Sequence, residues 1–455
     1  MTLSAPAYIA SEPNQKVSVF AASKEQADKL SKDIAQMYVA ALGPGGVGKD
    51  GCEAYPDPDL FSETGVKETL LAGERLIAVA QYNDQICGAM VADKLSPYHV
   101  EFNSMAVPLN KRGLGIGSAI VSGLKDMMDA SELTINTTEL VTHSLASQAA
   151  HFHAGYKSIV GFAFCHYPRV FFADHPESVL WVTKFQGKLL STVKQLRSAL
   201  GRKLGTKASD LVQTIVAAQA QTQTKAQTNI SLAISSRLSE QQLPLVAELL
   251  LERTAYVPKL YANLVQSILF QFEEILDRSV QSVSEQVQLT QSEEEEEEEE
   301  ETKAQEPGES LSIEYKEGFG HAYIIYKPGF KFGSSLDQAA LDSALEALAK
   351  LEKRYILVRI PANQPEAIAL ADYLRQKKSF VFHSYLPLYG YNQEPEHESF
   401  HDILTLQWIA PDILASNSLP GETDSVVKLY GYPENLSGSI VRLIASELKE
   451  QEQNK

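Results

Sequence analysis

The chain has 455 residues, enough for two or three domains at roughly 100 to 200 residues each. It is 44% hydrophobic and 22% charged, an ordinary globular composition. Its formal net charge is −18, of which nine units fall in the run Glu293 to Glu301, and the remaining −9 still repels phosphate backbones, which argues against nucleic acid as a partner and favours an amine. Three scattered cysteines, Cys52, Cys87 and Cys165, supply neither a disulfide framework nor a cysteine zinc site. No stretch reads as a signal peptide or a membrane span, so the expectation is a cytoplasmic protein with no membrane partner.

Short apolar runs alternate with helical patterns from Val17 to Phe172: a strand over Val17 to Ala21, a helix over Lys24 to Leu42, and strands near Arg75 to Tyr82, Ile86 to Val91 and Val100 to Val107. The segment Gly115 to Met128 sets Ile116, Ile120, Gly123, Leu124, Met127 and Met128 on a single helical face. A strand is expected at Glu177 to Phe185. The chain then turns Leu-, Gln-, Ala- and Thr-rich as far as Asp277, which reads as a helical connector, coiled or not. The Glu run and its flanks cannot bury apolar surface and repel themselves, as a solvated acidic linker would. Alternation resumes with strands Ile313 to Tyr315 and Ala322 to Tyr326, helix Leu336 to Leu351, strand Tyr355 to Ile360, helix Pro365 to Gln376, and strands Phe380 to Leu386 and Asp402 to Trp408. That order repeats the later part of the first unit. The domains expected are 1–175, 176–291 (strand plus connector), 292–310 (linker), 311–412, and a tail 413–455 with a terminal helix.

The chemistry lies in Glu101-Phe-Asn-Ser-Met-Ala-Val107-Pro-Leu-Asn-Lys-Arg112-Gly-Leu-Gly115-Ile-Gly117-Ser118, a strand leading through a glycine turn into the amphipathic helix. Glycines allow a left-handed turn and a close ligand approach, and unpaired amides at a helix start attract phosphate. A glycine cluster alone is weak evidence. Here Arg112-x-x-Gly115-x-Gly117 after a strand ending Ala-Val resembles the acetyl-coenzyme A signature of the GNAT superfamily of N-acetyltransferases. Tyr55-Pro-Asp-Pro-Asp-Leu, the Ala78 to Val91 hairpin and Ser144 to Cys165 extend the resemblance over about residues 15 to 185. Arg253-Thr-Ala-Tyr-Val-Pro-Lys-Leu-Tyr and Asp402-Ile-Leu-Thr-Leu-Gln are similar to parts of a bacterial subgroup with an extended C-terminal half.

The resemblance implies a mixed α/β fold, with a central sheet flanked by helices and a second, degenerate lobe. It also implies transfer of an acetyl group from acetyl-coenzyme A to an amine, on a small molecule or a protein lysine, by direct attack on the thioester. Pyrophosphate would be held by backbone amides from Arg112 through Gly113, Gly115 and Gly117, helped by the Ser118 hydroxyl, and the thioester carbonyl polarised by an N–H near Ala106 or Val107. Glu101, six residues before Val107, has the spacing of a general base, and simple alternation puts it on one face with Asn103, Met105 and Val107. His151 takes the position of the tyrosine acid of many relatives, with His153 and Tyr156 as alternatives. A catalytically silent acyl-coenzyme A binder or scaffold is the competing reading.

Two other motifs carry less. Gly43-Pro-Gly-Gly-Val-Gly-Lys49-Asp50 lacks the hydroxyl that a P-loop places on magnesium, and His397-Glu-Ser-Phe-His401 matches the zinc-protease pattern but precedes a strand pattern, so no metal is expected.

Overall fold

The computed structural model describes residues 8–9, 17–43, 57–96, 99–129, 135–142, 144–156, 158–167, 176–185, most of 256–268, 311–315, 320–394, 397–420 and 434–453, with single positions between. The P-loop-like stretch after Gly43, most of the helical connector and the acidic run lie outside the described residues.

Thirteen strands form one sheet: β1 (Tyr8–Ile9), β2 (Val17–Ala21), β3 (Arg75–Tyr82), β4 (Gln85–Ser96), β5 (His99–Ala106), β6 (Ile135–Val141), β7 (Ser158–Tyr167), β8 (Glu177–Phe185), β9 (Leu311–Tyr315), β10 (His321–Tyr326), β11 (Tyr355–Pro361), β12 (Val381–Glu394) and β13 (His397–Ile409). Their spatial order is β1-β2-β3-β4-β5-β6-β8-β7-β12-β13-β11-β10-β9. The helices are α1 (Ala27–Leu42), α2 (Glu63–Ala72), α3 (Ile116–Asp129), α4 (Leu145–His153), α5 (Ser335–Lys350), α6 (Glu366–Lys378), α7 (Pro411–Ala415) and α8 (Glu434–Gln453).

Local chemistry accounts for these elements. On α1, Leu30, Ile34, Met37, Tyr38 and Ala41 make one buried stripe that packs with α2 on one face of the sheet. Ser62 caps α2 by accepting from Gly65 N at 3.0 Å, and Gly73 ends it at φ +72°. The β3–β4 hairpin turns on Asn83 and Asp84, both at positive φ, as a tight two-residue turn needs. The expected face of α3 is buried against the opposite side of the sheet, where a Cβ on Gly123 would lie 2.7 Å from Val19 Cγ1. Glycine there permits the helix to sit close on β2.

The two halves of the sheet follow the same path. In β4-β5-α3-β6-α4-β7-β8 the strands lie in order β4-β5-β6-β8-β7, with β5 and β6 parallel and the other neighbours antiparallel. In β9-β10-α5-β11-α6-β12-β13 the order is β9-β10-β11-β13-β12, with β10 and β11 parallel and the rest antiparallel. The halves meet where β7 pairs with β12, through the single register pair Gly161 and Ser384.

Side chains replace the ladder at that junction. A bulge in β12 between Phe382 and Ser384 withholds a backbone partner from β7. The amide of Gln407, reaching from β13, takes its place: Nε2 donates to Phe162 O at 3.0 Å and Phe382 O at 2.7 Å, while Oε1 accepts from Phe164 N at 3.1 Å and Tyr355 Oη at 2.6 Å. A primary amide carries the same donor and acceptor pair as a peptide unit, which suits it to this repair. The displaced Phe382 N–H donates to Glu447 of α8, which also accepts from Tyr261 Oη and Arg375 Nε. Asp402 accepts from Tyr385 Oη and Leu388 N, holding the irregular part of β12. Tyr261, Asp402 and Gln407 belong to the two stretches singled out in the C-terminal part of the sequence, and here they act as buried cross-links.

Candidate active site

β5 and β6 pair from His99 with Ile135 only as far as Phe102 with Thr138. Beyond that point β5 runs on to Ala106 and β6 to Val141 without pairing, so the two strands open into a wedge at the centre of the sheet. A bulge drives the opening. Asn103 pairs with Val91 and Ala106 with Ala89, so three steps on β5 face two on β4, and Ser104 sits at φ +50° to take up the extra residue. Tyr38 of α1 donates to Ser104 O at 2.9 Å and clamps the bulge.

The bulge corrects the expected alternation. Glu101, Asn103 and Ala106 face α1 and α2, whereas Met105 and Val107 pack against the core on the α3 side, because the extra residue inverts the sense of the strand.

After β5, a turn of 3₁₀ helix (Leu109–Lys111) leads to Gly113 at φ +80° and Gly115 at φ +75°, both with open space where a Cβ would stand. Lys111 N donates to Pro108 O and Arg112 N to Leu109 O, but among the described residues no backbone carbonyl accepts from the amides of Gly113 to Ser118. The Arg112 amide is therefore not available to a ligand, and the free set begins one residue later than expected. Arg112 Nε reaches back to Val107 O at 3.2 Å and braces the turn. Five or six amides converging at the start of a helix make an anion cradle, and an unpaired pair of strand edges beside it suits an extended ligand with amide groups of its own. These features fit coenzyme A, whose pyrophosphate and two amide-bearing links need those two kinds of partner.

Glu101 lies at the apex of the wedge, among a cluster of buried charged and aromatic groups that the sequence did not reveal and that form the walls of a candidate chamber. On the same face stands Glu139 of β6, which accepts from Tyr167 Oη at 3.0 Å and has His166 Nε2 at 3.5 Å. Burial first, then the charge of Glu139, pushes the Glu101 carboxyl up to about 8, against the pull of Arg359 and with a further push from Asp93. Burial also raises Glu139, opposed by Tyr167, His321 and Arg359. Two carboxyls in one desolvated space hold a proton between them more readily than two charges.

The far wall comes from the C-terminal half. Arg359 of β11 lies 4.7 Å from the Tyr323 ring, 5.4 Å from Tyr389 and 5.9 Å from Trp181. Tyr389, beyond the irregular stretch of β12, meets His99 of β5 edge to face at 4.6 Å and closes the chamber over the start of that strand. His166 and His321 stack at 5.7 Å on another side, with burial and Arg359 holding His166 neutral at a value of about 3. A hollow of about 610 Å³, lined by Lys32, Gln36, Phe61, Pro108 and Asn110 among others, lies between α1 and the turn after β5, and Glu101 does not line it.

His151 is not in the chamber. It is buried on the α4 side, where its ring meets Tyr156, which in turn packs on Phe102, so the sheet separates it from Glu101. Its Nδ1 donates to Ser147 O at 2.9 Å, and burial lowers it to about 4, opposed by that hydrogen bond. In the neutral tautomer so defined, Nε2 has no proton to give. Tyr156 is wholly buried beside it, under the ammonium of Lys184. His397 and His401 lie on strand β13, where four residues span about 13 Å, so they cannot share one metal as the helical zinc motif requires.

The strand order, the parallel central pair that opens beyond a bulge, and the glycine turn into α3 define a mixed α/β fold of the GNAT type. No family model and no curated protein matches the chain. Among solved structures it is similar to a ribosomal-protein-S5-alanine acetyltransferase from Vibrio fischeri, with 13% identity over 40% of this chain and 97% of that one and a TM-score of 0.30. It is also similar to a ribosomal L7/L12 α-N-protein acetyltransferase in complex with coenzyme A, with 10% identity over 39% and 98% of the two chains and a TM-score of 0.30. A microcin C7 self-immunity acetyltransferase in complex with acetyl-CoA and AMP gives 12% identity over 37% and 92%, with a TM-score of 0.28. At such identities and scores the likeness extends to none of those proteins' substrates. No described helix is long and apolar enough to cross a membrane.

Proposed function

We propose that this chain transfers an acetyl group from acetyl-coenzyme A to an amine. The observation that carries the reading is the wedge between β5 and β6, which has free amides at one end and Glu101 at its apex. Acetyl-coenzyme A supplies an activated thioester when bound. Gly113, Gly115, Gly117 and Ser118 hold its pyrophosphate through their amides, and the edge of β5 at Ala106 and Val107 offers N–H groups to the thioester oxygen.

Glu101 takes a proton from the acceptor ammonium, directly or through a water. A carboxylate raised to about 8 by burial and by Glu139 is a far stronger base than one at the ordinary value of 4.5, which suits the removal of a proton from an amine near pKa 10. The nitrogen lone pair then forms the amide bond as the carbon–sulfur bond breaks, and coenzyme A leaves as a thiolate, a group stable near neutral pH without an acid from the protein. His151 belongs to the packing of α4 in this scheme. The C-terminal half is a degenerate second copy that walls the acceptor chamber and holds no cofactor of its own.

Calorimetric titration with acetyl-coenzyme A tests this. One equivalent should bind per chain, and Gly115→Glu with Gly117→Glu should abolish binding. Saturation at 100 times the dissociation constant should stabilise the wild type by about 2.7 kcal/mol. Two equivalents, or binding that survives the double substitution, would contradict the assignment. Normal binding with no transfer to any amine would favour a silent acyl-coenzyme A binder.

A further inference from the structure

Besides the Nδ1 atoms of His99 and His166, the chamber's buried side-chain groups without a described partner include an acceptor on β5 and donors on β8 and β11. On the N-terminal side, Asn103 Nδ2 donates to Asp93 Oδ2 at 2.6 Å, which fixes the amide so that Oδ1 is the spare acceptor. That oxygen is buried without a partner, on the face it shares with Glu101. Across from it, on β11 and β8, the spare groups named are donors. Arg359 Nε is buried without a partner, and among the described residues its guanidinium makes no ion pair and no hydrogen bond. Trp181, 2% exposed, also keeps an unpartnered Nε1–H.

A half-buried guanidinium ordinarily takes a carboxylate partner, and two carboxyl groups stand in the same chamber. Neither pairs with it. Glu139 is engaged by Tyr167 instead, and Arg359 acts on Glu101 through its charge alone, while Asp93 of β4 is tied to Arg75 and Asn103. Three aromatic faces hold the cation where a counter-ion would be expected. An arginine fork with a buried Nε–H that has no partner, and no described carboxylate on it, is suited to a carboxylate brought by a ligand.

We propose that the chamber takes an amine that also carries a carboxylate, with the amine against Glu101 and Asn103 and the carboxylate against Arg359 and Trp181. The identity of the reacting end rests on the acetyl-transfer reading, while the binding of such a molecule does not. It narrows the acceptor from amines in general to small molecules of the amino-acid class. A protein lysine flanked by peptide bonds brings no such group to Arg359.

The test is calorimetric titration of the full chain, saturated with coenzyme A, using straight-chain amino acids from glycine to 6-aminohexanoate, each beside its own carboxamide. The carboxamide keeps the amine and the length but loses the negative charge. At least one acid should bind ten-fold or more tightly than its amide, and the length that binds best reports the span between Glu101 and Arg359. Arg359→Gln should reduce that acid to the level of its amide while leaving coenzyme A affinity unchanged. Because loss of a buried cation could unfold the chain, the acid-to-amide ratio on the wild type decides by itself. Equal binding of acids and amides, or binding of neither, overturns the proposal. A carboxylate preference without acetyl transfer would sink the enzymatic reading alone, and transfer to amines without such a preference would sink only this one.

Discussion

The two strand-to-helix connections that occupy the same place in the two halves solve the helix-start problem in opposite ways. Between β10 and α5 the turn is pinned by buried Phe330 and Phe332, and α5 opens with a capping box in which Ser334 N donates to Asp337 Oδ2 at 3.0 Å and Asp337 N donates to Ser334 Oγ at 3.2 Å. The helix's own carboxylate sits where a phosphate would have to bind, and Ser334 holds it below the ordinary carboxylate range. Between β5 and α3 the amides are left free, the glycines stand at positive φ, and no acidic residue lies in the first turn. The strands differ in the same sense: β10 pairs with β11 from His321 through Ile325 with no register shift, whereas β5 parts from β6 after Phe102. A strand-to-helix connection that satisfies its own amides leaves nothing for an anion, and one that leaves them open can take a ligand.

The largest effect that could break this contrast is on Glu101. Glu101→Gln should lower kcat by roughly 10²- to 10⁴-fold, the usual contribution of a general base, with little change in acetyl-coenzyme A affinity. Burial, with Glu139 on β6 and Asp93 on β4, raises Glu101 to about 8 against the opposing pull of Arg359 on β11. A base must be deprotonated to work, so kcat/KM should rise about ten-fold per pH unit below that value and level off above it. An acceptor ammonium alone would also give a rising limb, so the decisive reading is the wild-type profile divided by that of the variant. A ratio independent of pH would remove Glu101 from the chemistry.

The next effect concerns the seam that makes the wall part of the site. Gln407→Leu would leave Phe162 O, Phe164 N, Phe382 O and Tyr355 Oη unpaired, and a buried unsatisfied group costs about 1 to 3 kcal/mol. Urea unfolding should show a loss of at least about 3 kcal/mol once partial relaxation is allowed for. An unchanged midpoint would mean that the halves do not depend on this amide. The smallest expected effect is Ser334→Ala, about 1 kcal/mol of stability with no change in acetyl-coenzyme A binding. A gain of a second binding equivalent in that variant would show that only the cap separates the two halves.

Most of the elements could be read from the residues, because apolar periodicity and turn chemistry are local. The face of α3, the limits of β8 and the order of elements after Leu311 all came from such patterns. β6 did not, since Ile-Asn-Thr-Thr-Glu-Leu-Val buries Asn136, Thr137 and Thr138 and so lacks an apolar alternation. Glu139 was lost with it. Its β-branched residues were the available signal. Arg359 was visible as the one charge inside the apolar run Tyr355-Ile-Leu-Val-Arg-Ile, but nothing near it in sequence says what it would face. The Asn103 to Val107 pattern misled because strict alternation cannot foresee a bulge.

By itself, the sequence determined the mixed α/β class and the glycine turn with its following helix, and it offered Glu101 as a carboxylate on the strand that leads into that turn. Each of these depends on backbone and side-chain preferences within a few residues. Only the tertiary structure decided that the two halves share one sheet, that His151 stands on the wrong side of it, and that Glu101 shares a chamber with Glu139 and with Arg359 some 250 residues away. A pKa, an unpaired guanidinium and a chamber wall are properties of neighbours in space, and strand pairing across the β7–β12 seam chooses those neighbours.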